Sequence, residues 1–272
     1  RWILMEPFAE DAELVGGLSI AARVPQAEVA VADNACALVL RVLDPPSEAD
    51  LARMREWERA HRARLYLQPG GPATVAPLTP GQEPLRYALP EFDVTLEFEP
   101  TDFIQVNGAL NQAMVNRAVG FLDPQPDERV LDLFCGLGNF SLPLARRAGE
   151  VLGVEGESGL VARAVQNAAR QGFTHVTYLT ADLAAPALDA PWATRKYDRV
   201  LLDPPRAGAR EVLPVVGASG AGRVVYISCH PGSLARDAGI LVRDHGFRLV
   251  AAGVMDMFPH TTHVEAMAVF ER

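Results

Sequence analysis

Three stretches in the second half of the chain carry residues able to do chemistry. Ser228-Cys229-His230-Pro231 closes the apolar run Arg223–Ser228, which reads as a strand. A thiol with a pKa of about 8.5 is only a few per cent thiolate at pH 7, and the thiolate is the nucleophile. The following segment, Gly232–His245, reads as a helix, whose N-terminus is expected to raise that fraction. The competing reading of Cys229 is a buried small hydrophobe, although it stands at the strand end and not inside it. A protease-like pair with His230 is disfavoured, because adjacent residues of an extended segment point to opposite sides. The second stretch, His260-Thr-Thr-His263-Val-Glu265, opens the last strand, where alternation puts His263 and Glu265 on one face. Three readings stay open there: a metal site from His260, His263 and Glu265, a polar strand edge, or Glu265 as a general base facing Cys229. The third stretch, Asp203-Pro-Pro-Arg206, follows Val200–Leu202. Its prolines stiffen the loop and aim Asp203 into the place where open α/β sheets hold ligands, the alternative being a turn without chemistry.

A glycine turn supplies the binding counterpart. Asp132-Leu-Phe-Cys-Gly136-Leu-Gly138-Asn139-Phe140 leaves a strand and opens a helix, and its glycines allow a sharp turn and close approach of a ligand. Glu155, 19 residues after Gly136, ends the next strand and can accept both ribose hydroxyls of an adenosine. Asp182 follows the third strand, within reach of an adenine amino group. The competing reading is a plain strand–helix turn. Ser141 stands where the dinucleotide fingerprint has its third glycine, and nothing basic follows before Arg146. Acidic residues at successive strand ends suit a cationic, phosphate-free cofactor, S-adenosylmethionine, better than a dinucleotide.

From residue 101 onward the chain alternates strand and helix. Strands are expected at Arg129–Phe134, Val151–Val154, Val176–Leu179, Arg199–Leu202 and Arg223–Ser228, with an antiparallel pair at Arg248–Met255 and Val264–Glu271. Helices are expected at Val106–Phe121, Asn139–Ala148 and Ser158–Gln171. Together these predict an α/β fold, a seven-stranded doubly wound, Rossmann-like domain over 101–272. Residues 1–100 are expected to form a smaller, partial α+β domain. They hold strands at Ala35–Leu43, Leu65–Leu67, Leu85–Leu89 and Pro90–Pro100, and a helix Glu48–Arg64 capped by Ser47.

The composition sets bounds. The 272 residues are 49% hydrophobic and 22% charged, which excludes a disordered tail or a disulfide-stapled mini-protein. No apolar run approaches the roughly 20 residues of a membrane span, and Glu6, Glu10, Asp11 and Glu13 break the stretch Arg1–Gly17 that a signal peptide would need. Three dispersed cysteines, Cys36, Cys135 and Cys229, indicate reduced thiols in a cytoplasm. The net charge of −9 is uneven. Residues 1–100 hold 9 Arg against 16 Asp and Glu (−7), whereas 101–272 hold 16 basic against 18 acidic residues (−2). Read alone, that balance disfavours a nucleic-acid binder. The chain opens on Arg1 in place of Met, as a fragment would.

Five motifs in one order carry a resemblance. They are Phe103-Ile-Gln105-Val-Asn107, Asp132–Phe140, Asp203-Pro-Pro-Arg-Ala-Gly208, Ser228-Cys229-His-Pro231 with Leu234-Ala-Arg-Asp237, and His263-Val-Glu265. The chain resembles the S-adenosylmethionine-dependent RNA uracil-5-methyltransferases, most closely the 23S ribosomal RNA branch, densely over 101–272 and loosely before. The resemblance implies Cys229 as nucleophile and Glu265 as the base that removes the C5 proton. It further implies a cofactor site from Gln105, Phe134, Gly136, Gly138, Asn139, Glu155, Asp182 and Asp203. An RNA substrate is implied, ribosomal in the first place and transfer RNA as the alternative, with no membrane partner and a monomeric enzyme. A non-catalytic adenosine- or RNA-binding module is the third reading; a cytosine-5 enzyme ranks low, because Asp203-Pro-Pro-Arg206 lacks the second cysteine those use. Two departures stand out. His230 replaces the usual Asn, and with Cys36 alone among the first 130 residues this chain has no iron–sulfur or other metal site of its own.

Overall fold

The computed structural model describes residues 12–257, 260–261 and 263–272. Positions 1–11 of the acid-interrupted stretch lie outside the described residues, as does Thr262 of the His260–Glu265 motif. The chain divides into two compact units, residues 1–87 with 97–103, and residues 88–96 with 104–272.

In the first unit, β1 (Gln26–Val31), β2 (Cys36–Arg41), β3 (Ala63–Gln68) and β4 (Ala76–Pro77) form one sheet in that order. β2 and β3 are parallel, and helix α1 (Glu48–His61) makes the crossover that such a pair requires. The helix starts where the sequence places it. Ser47 Oγ accepts from the Asp50 amide at 3.2 Å, and Asp50 accepts from the Ser47 amide at 3.0 Å, a reciprocal cap. It ends earlier than expected, because Arg62 turns left-handed (φ 52°) and leads into β3. Leu38, Leu40, Met54, Trp57 and Leu65 form the core.

A ribbon of β5 (Leu85–Leu89) and β6 (Val94–Phe98) follows. The expected strand Pro90–Pro100 is shorter, since Pro90–Phe92 forms a 3-10 turn and Asp93 is left-handed (φ 48°). Proline at the first position of a helical turn loses no hydrogen bond, so Pro90 favours that turn over continued pairing.

The second unit is built on β7 (Arg129–Leu133), β8 (Glu150–Glu155), β9 (Val176–Thr180), β10 (Arg199–Leu202), β11 (Arg223–Ser228), β12 (Arg248–Met255) and β13 (Glu265–Glu271). The sheet order is β12-β13-β11-β10-β7-β8-β9, with β7 to β11 parallel and β13 antiparallel to both neighbours. Helices α2 (Gly108–Leu122), α3 (Ser141–Ala145), α4 (Ser158–Arg170), α5 (Leu213–Ala218) and α6 (Pro231–Arg243) accompany it. The central strands are near-continuous aliphatic runs, as burial on both faces requires, and Leu131, Val154, Val200, Val224, Tyr226 and Phe270 pack at their centre. α3 is half its expected length. Beyond Ala145 the amides of Arg146 to Ala148 bond back to the Pro143 and Leu144 carbonyls in a tightened turn. The chain runs from β7 outward to β9 and then returns to β10 on the other side of β7, so the strand order reverses between β7 and β10. A crevice opens at the carboxyl ends of the strands at such a reversal.

Candidate active site

Sheet order alone lines up the candidate residues along this carboxyl edge. Glu265 opens β13, Cys229 follows β11, Asp203 follows β10, the turn Phe134–Asn139 follows β7, Glu155 ends β8 and Asp182 lies two residues past β9. Because β13 runs antiparallel, its first residues meet the last of β11. The pair Ser228↔Ala266 puts Cys229 and Glu265 one step further along the same edge. Two residues 36 apart in sequence are thereby set side by side.

The glycine turn is tightly specified. Phe134 is left-handed (φ 64°), an outlier for a bulky side chain, and its amide donates to Val154 O at 2.9 Å. Gly138 has φ 101°, and a Cβ there would lie 2.8 Å from the Tyr178 hydroxyl, so no other residue fits without displacement. Glu155 accepts from the amides of Gly136 at 3.1 Å, Gly156 at 2.7 Å and Glu157 at 3.1 Å, which holds its carboxylate against the turn. Asp182 uses one oxygen to cap its own turn through the amides of Ala184 and Ala185. Asn139 exchanges two 3.0 Å amide hydrogen bonds with Asn111 of α2, and Gln105 is half-buried in the loop before that helix.

Beneath the turn, Asp132 is fully buried and accepts from Ser141 Oγ at 2.5 Å, while its Oδ1 has no hydrogen-bond partner among the described residues. Burial pushes its pKa up to about 7 despite that bond, and Asp203 and Glu155 add to the rise. Asp203 itself is raised to about 7 by burial. Glu265, 2% exposed, is raised to about 7, first by burial and then by Asp203. The half-buried Cys229 thiol is also pushed up, by burial first and then by Glu265 and Asp203, with Arg206 opposing. The expectation that a helix N-terminus would favour the thiolate is therefore corrected. Desolvation and the two carboxylates Glu265 and Asp203 act in the opposite direction to that expectation.

His230 caps α6: its Nδ1 accepts from the Ser233 amide at 3.1 Å. An Asn side chain would serve the same end. His263 is exposed and precedes β13, which starts one residue later than expected, so strand alternation does not pair it with Glu265. Among the described residues no group of three His, Cys, Asp or Glu side chains gathers as metal ligands. Asn111, Ser141, Tyr178, Tyr226 and Asp237 support the site without having been singled out as its residues. Only Asp237 had a signal, its place in the Leu234-Ala-Arg-Asp237 motif.

This architecture is that of the doubly wound methyltransferases. The crystal structure of a tRNA (uracil-54, C5)-methyltransferase from Pyrococcus abyssi, in complex with S-adenosyl-L-homocysteine, matches with a TM-score of 0.68 at 22% identity, over 87% of this chain and 56% of that one. A family model described as tRNA (uracil-5-)-methyltransferase matches residues 86–272, and the chain belongs to that family. Two curated relatives are named 23S rRNA (uracil(1939)-C(5))-methyltransferase RlmD. The one from Methylococcus capsulatus is 55% identical over 262 residues, 96% of this chain and 59% of its own length. The one from Alkalilimnicola ehrlichii is 56% identical over 268 residues, 98% of this chain and 60% of its own. The chain thus spans about three fifths of the length of these relatives.

Proposed function

We propose that this chain is the catalytic part of an S-adenosylmethionine-dependent RNA uracil-5-methyltransferase that modifies a uridine of 23S ribosomal RNA. The observation that carries the reading is the β11–β13 register, which brings Cys229 and the buried Glu265 to neighbouring positions on the same sheet edge as the glycine turn. Ribosomal RNA is favoured over transfer RNA because the 55–56% identical relatives carry the ribosomal name, against 22% identity to the transfer-RNA enzyme.

The residues fit the cofactor. The close-approach turn at Gly136 and Gly138, Glu155 and Asp182 stand in sequence along the edge; on this reading Glu155 takes the ribose, Asp182 the adenine, and Gln105, Phe134, Asn139 and Asp203 complete the cofactor site. When bound, S-adenosylmethionine supplies a methyl group on a positively charged sulfur. The rest is the work of the side chains. Carbon 5 of uracil is a weak nucleophile, and addition of the Cys229 thiolate at carbon 6 turns it into an enolate able to accept the methyl group. Glu265 in its ionised form then takes the proton from carbon 5, and elimination across the 5,6 bond releases Cys229. The base must leave its stack to reach the edge.

No helix among the described residues is long and apolar enough to cross a membrane. This reading implies a monomeric cytoplasmic enzyme whose partner is RNA. The test is release of tritium from [5-³H]uridine-labelled 23S RNA. One tritium per methyl transferred is expected, and tritium retained after turnover refutes the mechanism.

A further inference from the structure

We infer that Tyr178 is a positioning residue for the cofactor: from the outermost strand it reaches across Gly153 to Gly138 and wedges the glycine turn in the conformation that receives S-adenosylmethionine. The inference rests on the reading of the turn Phe134–Asn139 as the cofactor's turn.

The strand itself points to this role. β9 lies at the edge of the sheet, and Tyr178 is its one buried residue, 8% exposed between exposed Thr177 and Leu179. Its register partner on β8 is Gly153. A glycine inside a strand weakens it and often marks a close approach. Here a Cβ at Gly153 would stand 2.5 Å and 2.7 Å from Cδ1 and Cε1 of the Tyr178 ring, and 2.8 Å from Cys135 Sγ. The ring and the thiol of Cys135, itself part of the turn, therefore take the space that a side chain at 153 would fill. The far end of the ring meets the turn a second time. A Cβ at Gly138 would stand 2.8 Å from the Tyr178 hydroxyl and 3.7 Å from its Cζ. That hydroxyl is buried and has no hydrogen-bond partner among the described residues, so packing accounts for its place against the turn.

The turn needs such a support. Phe134, Gly136 and Gly138 all have positive φ, at 64°, 55° and 101°, a run of conformations that an unbraced segment leaves for commoner ones. Two of its residues are held from other elements by hydrogen bonds. The Gly136 amide donates to Glu155 at 3.1 Å, and the Leu137 carbonyl accepts from Asn167 Nδ2 of α4 at 3.4 Å. Gly138 bonds only locally, its amide to Cys135 O at 3.0 Å and its carbonyl to the Leu142 amide at 3.2 Å. Tyr178 supplies the missing hold on Gly138 from a separate strand. Loosening the wedge lowers the fraction of molecules whose turn is set for the cofactor, and the apparent dissociation constant rises by the same factor.

The experiment is S-adenosylhomocysteine binding to the full chain by isothermal titration calorimetry, with thermal unfolding reporting that each variant is folded. Tyr178→Leu keeps an apolar side chain too short to reach Gly138 and is expected to weaken binding about tenfold. Tyr178→Phe lacks only the hydroxyl, is expected to weaken it about two- to threefold, and keeps the test open if Tyr178→Leu does not fold. Rescue separates positioning from a merely structural role. Gly138→Ala meets both the left-handed backbone and the overlap with the hydroxyl, and Tyr178→Phe removes the overlap alone. The loss of affinity caused by Gly138→Ala is therefore expected to be at least about fivefold smaller in the Tyr178→Phe background. Affinity within twofold of wild type in folded Tyr178→Leu, or an equal loss from Gly138→Ala in both backgrounds, overturns the inference. A wild-type chain that does not bind S-adenosylhomocysteine overturns the reading of the turn itself, a separate outcome.

Discussion

Replacing Glu265 by Gln separates what the site needs from what the fold prefers. The carboxyl is 2% exposed, and burial with Asp203 nearby lifts its pKa from 4.5 to about 7. The folded state thus binds this proton more tightly than the unfolded state. Stability from this group is greatest below about pH 4.5, falls as pH rises toward 7 and is level above that. A rise of about 2.5 in pKa corresponds to about 3 kcal/mol lost at pH 8 and to less than about 1 kcal/mol at pH 5. The amide of the variant carries no charge at either pH. Glu265→Gln is therefore expected to stabilise the protein by about 3 kcal/mol at pH 8, a rise in melting temperature of roughly 6–12 °C, and to change it little at pH 5. Methyl transfer is expected to vanish in the same variant, since an amide cannot take the C5 proton. Differential scanning calorimetry at the two pH values, with a methylation assay alongside, gives both readouts. Equal stability effects at pH 5 and pH 8 would refute the electrostatic argument, and residual turnover would refute the role of base.

Three further outcomes follow from the same geometry. Cys229→Ala is expected to abolish methylation while S-adenosylhomocysteine affinity, measured by calorimetry, changes less than about twofold, because an alanine removes the nucleophile without adding bulk or charge. Gly138→Ala places a methyl group 2.8 Å from the Tyr178 hydroxyl on a backbone at φ 101°. At about 1–2 kcal/mol for the left-handed conformation alone, S-adenosylhomocysteine binding should weaken at least five- to thirtyfold, and unchanged affinity would show that the turn does not shape the cofactor site. Ser47→Ala removes one half of the reciprocal cap on α1 and is expected to lower stability to urea by about 1 kcal/mol without changing the initial rate of methylation.

The elements were legible where local chemistry decides them. The aliphatic runs Val130–Leu133 and Val200–Leu202, the Ser47 cap and the terminal antiparallel pair all stand close to where their patterns place them. Element ends shifted where backbone conformation was decided by single residues: left-handed Arg62 carries no marker in its side chain. The site divides in the same way. Cys229, Asp203 and Glu155 could be found because strand ends are visible in sequence and the parallel sheet brings them to one edge. Asn111 could not, because its partner Asn139 lies 28 residues away on another element and the pairing exists only after α2 packs. The electrostatics of Cys229 were misjudged for a related reason. A helix N-terminus can be read from the chain, whereas desolvation and the approach of Glu265 and Asp203 arise from the tertiary fold.

The central claim is that Cys229 bonds to uracil carbon 6 and Glu265 then removes the proton from carbon 5. RNA carrying 5-fluorouridine at the target position tests this directly, because fluorine cannot leave as a cation and the final elimination stops. With cofactor present, a complex that resists denaturation should accumulate, contain one transferred methyl group, and map by peptide mass spectrometry to Cys229. Absence of that complex from a preparation that methylates unmodified RNA, or its attachment to any other residue, would contradict the account.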